Sequence, residues 1–484
     1  MRVGKELVSY PIVLASAEAA EGPLVLAAVL LSLVVTYLAS KIGGEICARI
    51  NLPSVLGELV FGVLVGVSAL HLVMLPADGI TGSDSMLLKL LNQSTPMASE
   101  TLNSVFRSQG EVISVLSELG VIILLFEIGL ESQLKELLRV GPQAAVVACV
   151  GVAAPFIAGT AGLIAIFHVA TVPAIFAGAA LTATSIGITA RVLAELNRLS
   201  SSEGQIIIGA AVLDDVLGII VLAIVASLAK TGEVELSKVA ILIVSAGVFL
   251  VGAIVLGRWL SPLLMKLVSE MRTRGQVLIT ALIFAFLLSY VANVIQLEAI
   301  LGAFAAGLIL AETERQEELI EQIKPIADML VPIFFITVGA RTDVSVLNPF
   351  NPANREGLII SAFLIVVAIL GKVITGWTVF GKEKLNRLAI GVGMIPRGEV
   401  GLVFASVGTA SGVLSDALNA AIVVMVILTT FLAPPLLRLV FQNPNEVAAG
   451  LPSPVGLAAG GGAELSLLDG QAVEAEPAKK PEEV

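Results

Sequence analysis

Residues 209–225 read GAAVLDDVLGIIVLAIV, with two adjacent carboxylates, Asp214 and Asp215, in the middle of an otherwise apolar run. Apolar blocks of this kind, about 20 residues long, recur along nearly all of the chain. With 484 residues, 57 % of them hydrophobic and only 14 % charged, the composition reads as an all-α polytopic membrane protein. The two acids therefore stand close to mid-bilayer depth, where each costs on the order of 3 kcal/mol to insert. A role that repays that cost has to be found.

Thirteen apolar blocks, bounded by Gly, Pro and charges, are candidate spans: 24–41, 53–74, 112–131, 142–168, 171–196, 204–229, 237–268, 275–296, 298–311, 325–340, 356–381, 386–411 and 416–441. One set of alternate connections holds sixteen Lys and Arg, among them Lys41, Arg49, Arg191, Arg198, Arg272, Arg274 and Lys382; the other holds eight, including Arg2, Lys5, Lys230, Lys238 and Arg341. That bias sets the N-terminus outside and the C-terminus in the cytoplasm. Residues 1–23 are expected to lead into the first span; Arg2, Lys5 and the Ala-Ser-Ala at 15–17 also resemble a cleavable signal peptide. Residues 24–441 then form the membrane domain, and the Gly-, Pro-, Ala- and Glu-rich segment 442–484 a disordered acidic tail. The net charge of −11 comes partly from that tail, and no basic stripe with interleaved aromatics is present, which argues against nucleic-acid binding. Cys47 and Cys149 stand alone and read as small core residues.

The chain also repeats itself. LGELVFGVLVG at 56–66 aligns with LGAFAAGLIL at 301–310, and LLFEIGLESQL at 124–134 resembles IFFITVGARTDVSVL at 333–347. Both matches are offset by seven spans. Successive helices alternate direction, so an odd offset turns one copy upside down relative to the other. The arrangement expected is six spans, a linking seventh and six more, the pattern of an inverted-repeat transporter.

In such folds broken helices in corresponding positions of the halves mark the site. The fifth span contains LTATSIGITARV at 181–192 and the twelfth VGMIPRGEVGLVF at 392–404. Thr182, Thr184, Ser185 and Gly187 weaken the first, and Pro396 and Gly398 must interrupt the second. Unwound carbonyls there can coordinate a cation, whereas a structural reading has the hydroxyls bonding back to a preceding turn. Adjacent helical residues differ by about 100° in direction, so Asp214 and Asp215 cannot face one cavity equally. One takes an ion while the other meets a basic partner. Lys372, in LIVVAILGKVITGWTVF at 364–380, is the lysine set deep in an apolar block, and a buried Asp-Lys pair is the natural proposal against snorkelling to the surface. Protons and a small monovalent cation then compete for the same oxygens, and two protons per cation is the implied exchange. Arg397 and Glu399 flank the twelfth-span break and are expected to offset half-helix dipoles or to pair. Glu58 and Glu127 line a funnel or bridge helices; His71 and His168 fall near span ends.

The combination TATSIGITARVLAEL (182–196), the Asp214-Asp215 run, LGK (370–372) and MIPRGEVGL (394–402) resembles the bacterial monovalent cation:proton antiporter-2 family, especially its NapA-like sodium/proton antiporters. The resemblance covers about 24–441. It implies a homodimer with a dimerisation part and a mobile six-helix core working as an elevator, Asp215 as the ion-binding aspartate, Asp214 as the partner of Lys372, and the fifth and twelfth spans as a crossed pair. Kef-type relatives append a nucleotide-binding domain, for which the tail here is too short. No cofactor is expected; the partners are sodium, potassium or lithium, protons and the lipid of a bacterial inner or thylakoid membrane. An electrogenic sodium/proton antiporter is thus the leading expectation and potassium/proton exchange the runner-up. A cation channel would need a continuous pore, and an enzyme would need a nucleophile constellation that is absent from the sequence.

Overall fold

The computed structural model describes residues 10–77, 79–231, 236–270, 275–381 and 384–441. The lead-in charges Arg2 and Lys5, the loop charges Arg272, Arg274 and Lys382, and the acidic tail lie outside the described residues, as do the side chains of Lys230, Lys238 and Glu399. Among the described residues the regular structure is helical, with no strand. The helices are α1 (Tyr10–Arg49), α2 (Ser54–Val65), α3 (Met86–Ser94), α4 (Ser99–Glu131), α5 (Leu134–Phe167), α6 (Thr171–Ala180), α7 (Ile186–Glu195) and α8 (Ser202–Thr231). They continue as α9 (Leu236–Glu270), α10 (Gln276–Val294), α11 (Ala299–Leu310), α12 (Gln316–Ala340), α13 (Arg355–Val373), α14 (Arg387–Gly393), α15 (Glu399–Ala410) and α16 (Asp416–Phe441).

Helices suit these sequences because hydrocarbon offers no partner to a backbone N–H or C=O, and a helix satisfies both within itself. Eight of them are long and apolar enough to cross a bilayer, and five shorter apolar helices accompany them, among them α2, α6 and α11. The chain is therefore a multi-pass membrane protein. The apolar block at 112–131 is part of a longer helix: α4 starts at Ser99, and Leu102, Val105 and Phe106 pack with Leu88 of α3 and Ala28 of α1. One sequence expectation needs correction. Cys149 was expected in the core but is exposed on α5, while Ala148 beside it is buried; a residue's depth along a helix is written in the sequence, its rotation much less so.

The helices contact one another in two sets. In one, α4 lies along α11 and α12, α2 along α1 and α12, and α10 along α11. In the other, α5 lies along α6 and α8, α13 along α5 and α16, and α14 and α15 against α16. Between the sets, α7 touches α4 and α2, and α16 touches α2.

Two crossings in the first set bring backbones together at glycine. A Cβ at Gly62 of α2 would stand 2.5 Å from the Ile336 carbonyl oxygen of α12, and one at Gly339 closer still to that of Leu59. In the same way, a Cβ at Gly129 of α4 would stand 2.5 Å from the Phe304 carbonyl oxygen of α11, and one at Gly307 closer still to that of Phe126. Without a hydrophobic force between helices in lipid, such close approach is what dispersion needs. Gly129→Ala is expected to destabilise the protein by about 1–3 kcal/mol through overpacking against backbone. Gly247→Ala, where an added Cβ meets nothing within 4 Å, should change stability by less than about 0.5 kcal/mol. Thermal unfolding of the two variants in detergent checks the contrast.

Candidate functional site

Two helices break and pass each other. Residues 181–185 separate α6 from α7, and residues 394–398 separate α14 from α15. Thr182 Oγ1 bonds to the Ala179 carbonyl at 2.8 Å, closing the α6 terminus. Pro396 has no N–H to continue α14, and Gly398 is extended ahead of α15. The two unwound stretches then satisfy one another. The Ser185 N–H donates to the Pro396 carbonyl at 2.8 Å. Thr184 Oγ1 donates to Met394 O at 3.2 Å, and Thr189 Oγ1 to Gly393 O at 3.0 Å. A Cβ at Gly398 would lie 2.9 Å from Ser185 Oγ, so a side chain there would push the crossing apart.

Arg397 is wholly buried at this crossing. Its Nη1 donates to the Thr182 carbonyl at 3.0 Å and to that of Ala183, and its own carbonyl accepts from the Thr430 hydroxyl. A guanidinium at the C-terminal end of α6 meets the negative end of that helix dipole. Nε and Nη2 of the same group are buried without a hydrogen-bond partner. Glu399 opens α15, and its side chain lies outside the described ones.

Beside the crossing, α8 brings in the two aspartates. Asp214 and Lys372 are both wholly buried, and Lys372 Nζ stands 2.9 Å from Asp214 Oδ2. The α5 backbone makes room for this ammonium at Gly151, where a Cβ would be 3.2 Å from Nζ. Asp214 Oδ1 is buried with no hydrogen-bond partner, so Lys372 holds this carboxylate through Oδ2, and the Arg397 guanidinium adds a second positive charge within electrostatic reach. Asp215 points elsewhere. It is 4 % exposed and lines a cavity of about 20 Å³, the room of a single water molecule, with Thr184, Ser185, Gly187, Glu298 and Gly398. Of the residues singled out in the sequence, Asp214, Asp215, Thr184, Ser185, Lys372 and Arg397 lie together around one helix crossing. Glu298, not singled out there, lines the same small cavity; the signal for it was an acid standing where a short apolar helix begins.

A second void of about 740 Å³ lies next to the small cavity. Val121, Phe334 and Gly398 line both. Glu118, Arg341 and Asp343 also line it. It runs between α4 and α12 on one wall and α15 and α16 on the other, that is, between the two sets of helices. Glu58 joins helices: its Oε1 accepts from Ser40 Oγ at 2.9 Å. His168 takes a left-handed conformation as the C-terminal cap of α5, a local backbone role. Among the described residues no cluster of three or more His, Cys, Asp or Glu is placed to hold a metal ion.

The family model described as sodium/hydrogen exchanger, transmembrane, matches residues 28–442. The chain is 66 % identical over 427 residues to the high-affinity Na+/H+ antiporter NhaS3 of Synechocystis, covering 88 % of this chain and 93 % of that protein. It is 31 % identical to the Na+/H+-K+ antiporter GerN of Bacillus cereus, covering 84 % of this chain and 94 % of that one. Among solved structures, the sodium proton antiporter MjNhaP1 of Methanocaldococcus jannaschii superposes with a TM-score of 0.56, over 86 % of this chain and 96 % of that one. At 17 % identity that likeness concerns the fold.

Proposed function

Because the chain belongs to the sodium/hydrogen exchanger family, we propose that it is an electrogenic antiporter, exchanging sodium for protons at Asp215 by alternating access. Its relatives are named as antiporters, transporters rather than enzymes, and the most similar of those reported carries sodium and protons in its name. The observation that carries the site is the division of labour between adjacent carboxylates: Asp214 tied to Lys372, Asp215 facing a water-sized cavity at the crossing.

Asp215 takes either a proton or a dehydrated sodium ion on its carboxylate, and loading with one excludes the other. The Thr184 and Ser185 hydroxyls and the unwound backbone around them supply further oxygens beside it. Sodium binding next door disturbs the Asp214–Lys372 pair, and Lys372 exchanges the second proton. Two protons then move against one sodium ion, so each cycle carries charge. Arg397, and Glu399 with it, balance the half-helix dipoles so that the crossing tolerates a charge that comes and goes.

The same reading includes an inverted repeat and an elevator. In the alignment of 56–66 with 301–310, Leu59 and Gly62 correspond to Phe304 and Gly307; in that of 124–134 with 333–347, Phe126 and Gly129 correspond to Ile336 and Gly339. The α2–α12 crossing and the α11–α4 crossing use these equivalent residues, which supports the repeat. The void between the two helix sets supports movement of the set bearing the aspartates against the other. The membrane domain is 24–441, and a homodimer follows from the resemblance. Its membrane is a bacterial inner membrane or thylakoid, with the N-terminus outside and the C-terminus in the cytoplasm. Potassium is the second reading, supported by the potassium in the name of the Bacillus cereus relative.

The test is exchange in proteoliposomes under an imposed pH gradient, with sodium, lithium and potassium added in turn while membrane potential is followed. Sodium should dissipate the gradient with movement of charge. Dissipation by potassium in preference to sodium replaces the cation; no dissipation by any of the three overturns the antiporter.

A further inference from the structure

The N-terminus of α2 has no cap of its own. Pro53 precedes it and offers no side-chain acceptor, so the first N–H groups need a partner from elsewhere. That partner is Glu195, the last residue of α7. Glu195 Oε2 accepts from the Ser54 N–H at 2.9 Å, and Oε1 accepts from the Ser54 hydroxyl. A carboxylate at the end of α7 opposes the dipole of its own helix, whereas at the start of α2 it meets a positive end. Arg191, one turn earlier, offsets the first mismatch by holding Oε1 through Nε at 3.2 Å.

The contact joins the two helix sets. α2 belongs with α1 and α12, while α7 touches α8 and α16. Moreover, α7 is the half-helix whose first residues, Ile186 and Gly187, line the Asp215 cavity. Ten residues of helix, roughly 15 Å, link that cavity to the clasp as a single rigid piece. The large void, lined by Gly398 of the crossing, lies between the same two sets.

We propose that Glu195 is a positioning residue: by capping α2 it fixes α7, and through α7 the Asp215 site, in the orientation that faces the void reaching Arg341. The cap must come off for the site to turn toward the Arg49 end of the molecule. This rests on the alternating-access reading above, and it names the contact that sets the side to which the site opens.

The chain carries its own reporter. Cys47, in the last turn of α1, is buried and within electrostatic reach of Glu195. The other cysteine, Cys149, is exposed and is removed as Cys149→Ala. In that background a water-soluble maleimide should label Cys47 about tenfold faster in Glu195→Gln, because the population with the cap released rises. At the other end, Ser406 lines the void. Introduced as Ser406→Cys with both native cysteines replaced, it should be labelled more slowly when Glu195→Gln is added. General loosening of the fold would raise both rates, and a cap without influence on orientation would leave the Ser406→Cys rate unchanged, any rise at Cys47 then reflecting only the loss of the Glu195 charge beside its thiol; each of those results overturns the proposal. Glu195→Asp should return both rates toward those of the parent. Wild-type exchange in proteoliposomes is measured alongside: its absence defeats the antiporter reading, whereas exchange together with unchanged labelling defeats the clasp alone.

Discussion

Asp215→Asn is expected to abolish sodium-driven proton movement while leaving the protein folded. Asparagine keeps the size and much of the hydrogen bonding of the carboxyl group but neither takes up a proton nor carries charge. A sodium ion in a cavity the size of one water molecule has shed most of its hydration, and the carboxylate has to replace it. For opposite charges roughly 3 Å apart at an effective dielectric near 20, the lost attraction is on the order of 5 kcal/mol. That corresponds to at least about a thousandfold in affinity. The exchange assay above should therefore show no sodium response in the variant at concentrations that saturate wild type. The thermal unfolding midpoint should be held or raised, since a buried charge has been removed. A variant that exchanges at the wild-type rate would return Asp215 to a structural role and move the site elsewhere.

Much of this arrangement is legible in the sequence because hydrocarbon makes exceptions conspicuous. Asp214, Asp215 and Lys372 stand out by being charged within apolar runs, and Pro396 by interrupting one. The proposed repeat rests on a related signal: Gly62 and Gly307 recur at the same spacing from a Leu-Gly pair, and a backbone crossing tolerates no side chain at either. What the sequence conceals is rotation and partnership across helices. Cys149 lies one residue from buried Ala148, and nothing in its apolar neighbours says that it faces outward. Glu195 and Ser54 are separated by 141 positions and sit at helix ends, where acids and serines are ordinary. Their meeting depends on how α7 lies against α2, a tertiary fact with no periodic trace.

Removing Lys372 should have the largest effect on stability of any single substitution at the site. In Lys372→Met the side-chain volume is kept, but Asp214 loses the partner of Oδ2 while Oδ1 already has none. Losing the hydrogen-bonded cation of a buried carboxylate typically costs about 3–5 kcal/mol, and the Arg397 charge still acting on Asp214 sets the loss toward the lower end. Asp214→Asn is damaging for the complementary reason, because it strands a wholly buried ammonium beside Gly151. Combining the two removes both charges, so the double variant Asp214→Asn/Lys372→Met should lie within about 1–2 kcal/mol of wild type, far from the sum of its parts. Thermal unfolding of the four proteins closes the cycle. Additive losses would mean that the 2.9 Å contact carries little coupling energy. If the double variant is stable and still exchanges sodium, the second proton is no longer available from Lys372. Each turnover should then move one proton against one sodium ion and generate no membrane potential, so the same protein that tests the pair's energetics also tests its part in making transport electrogenic.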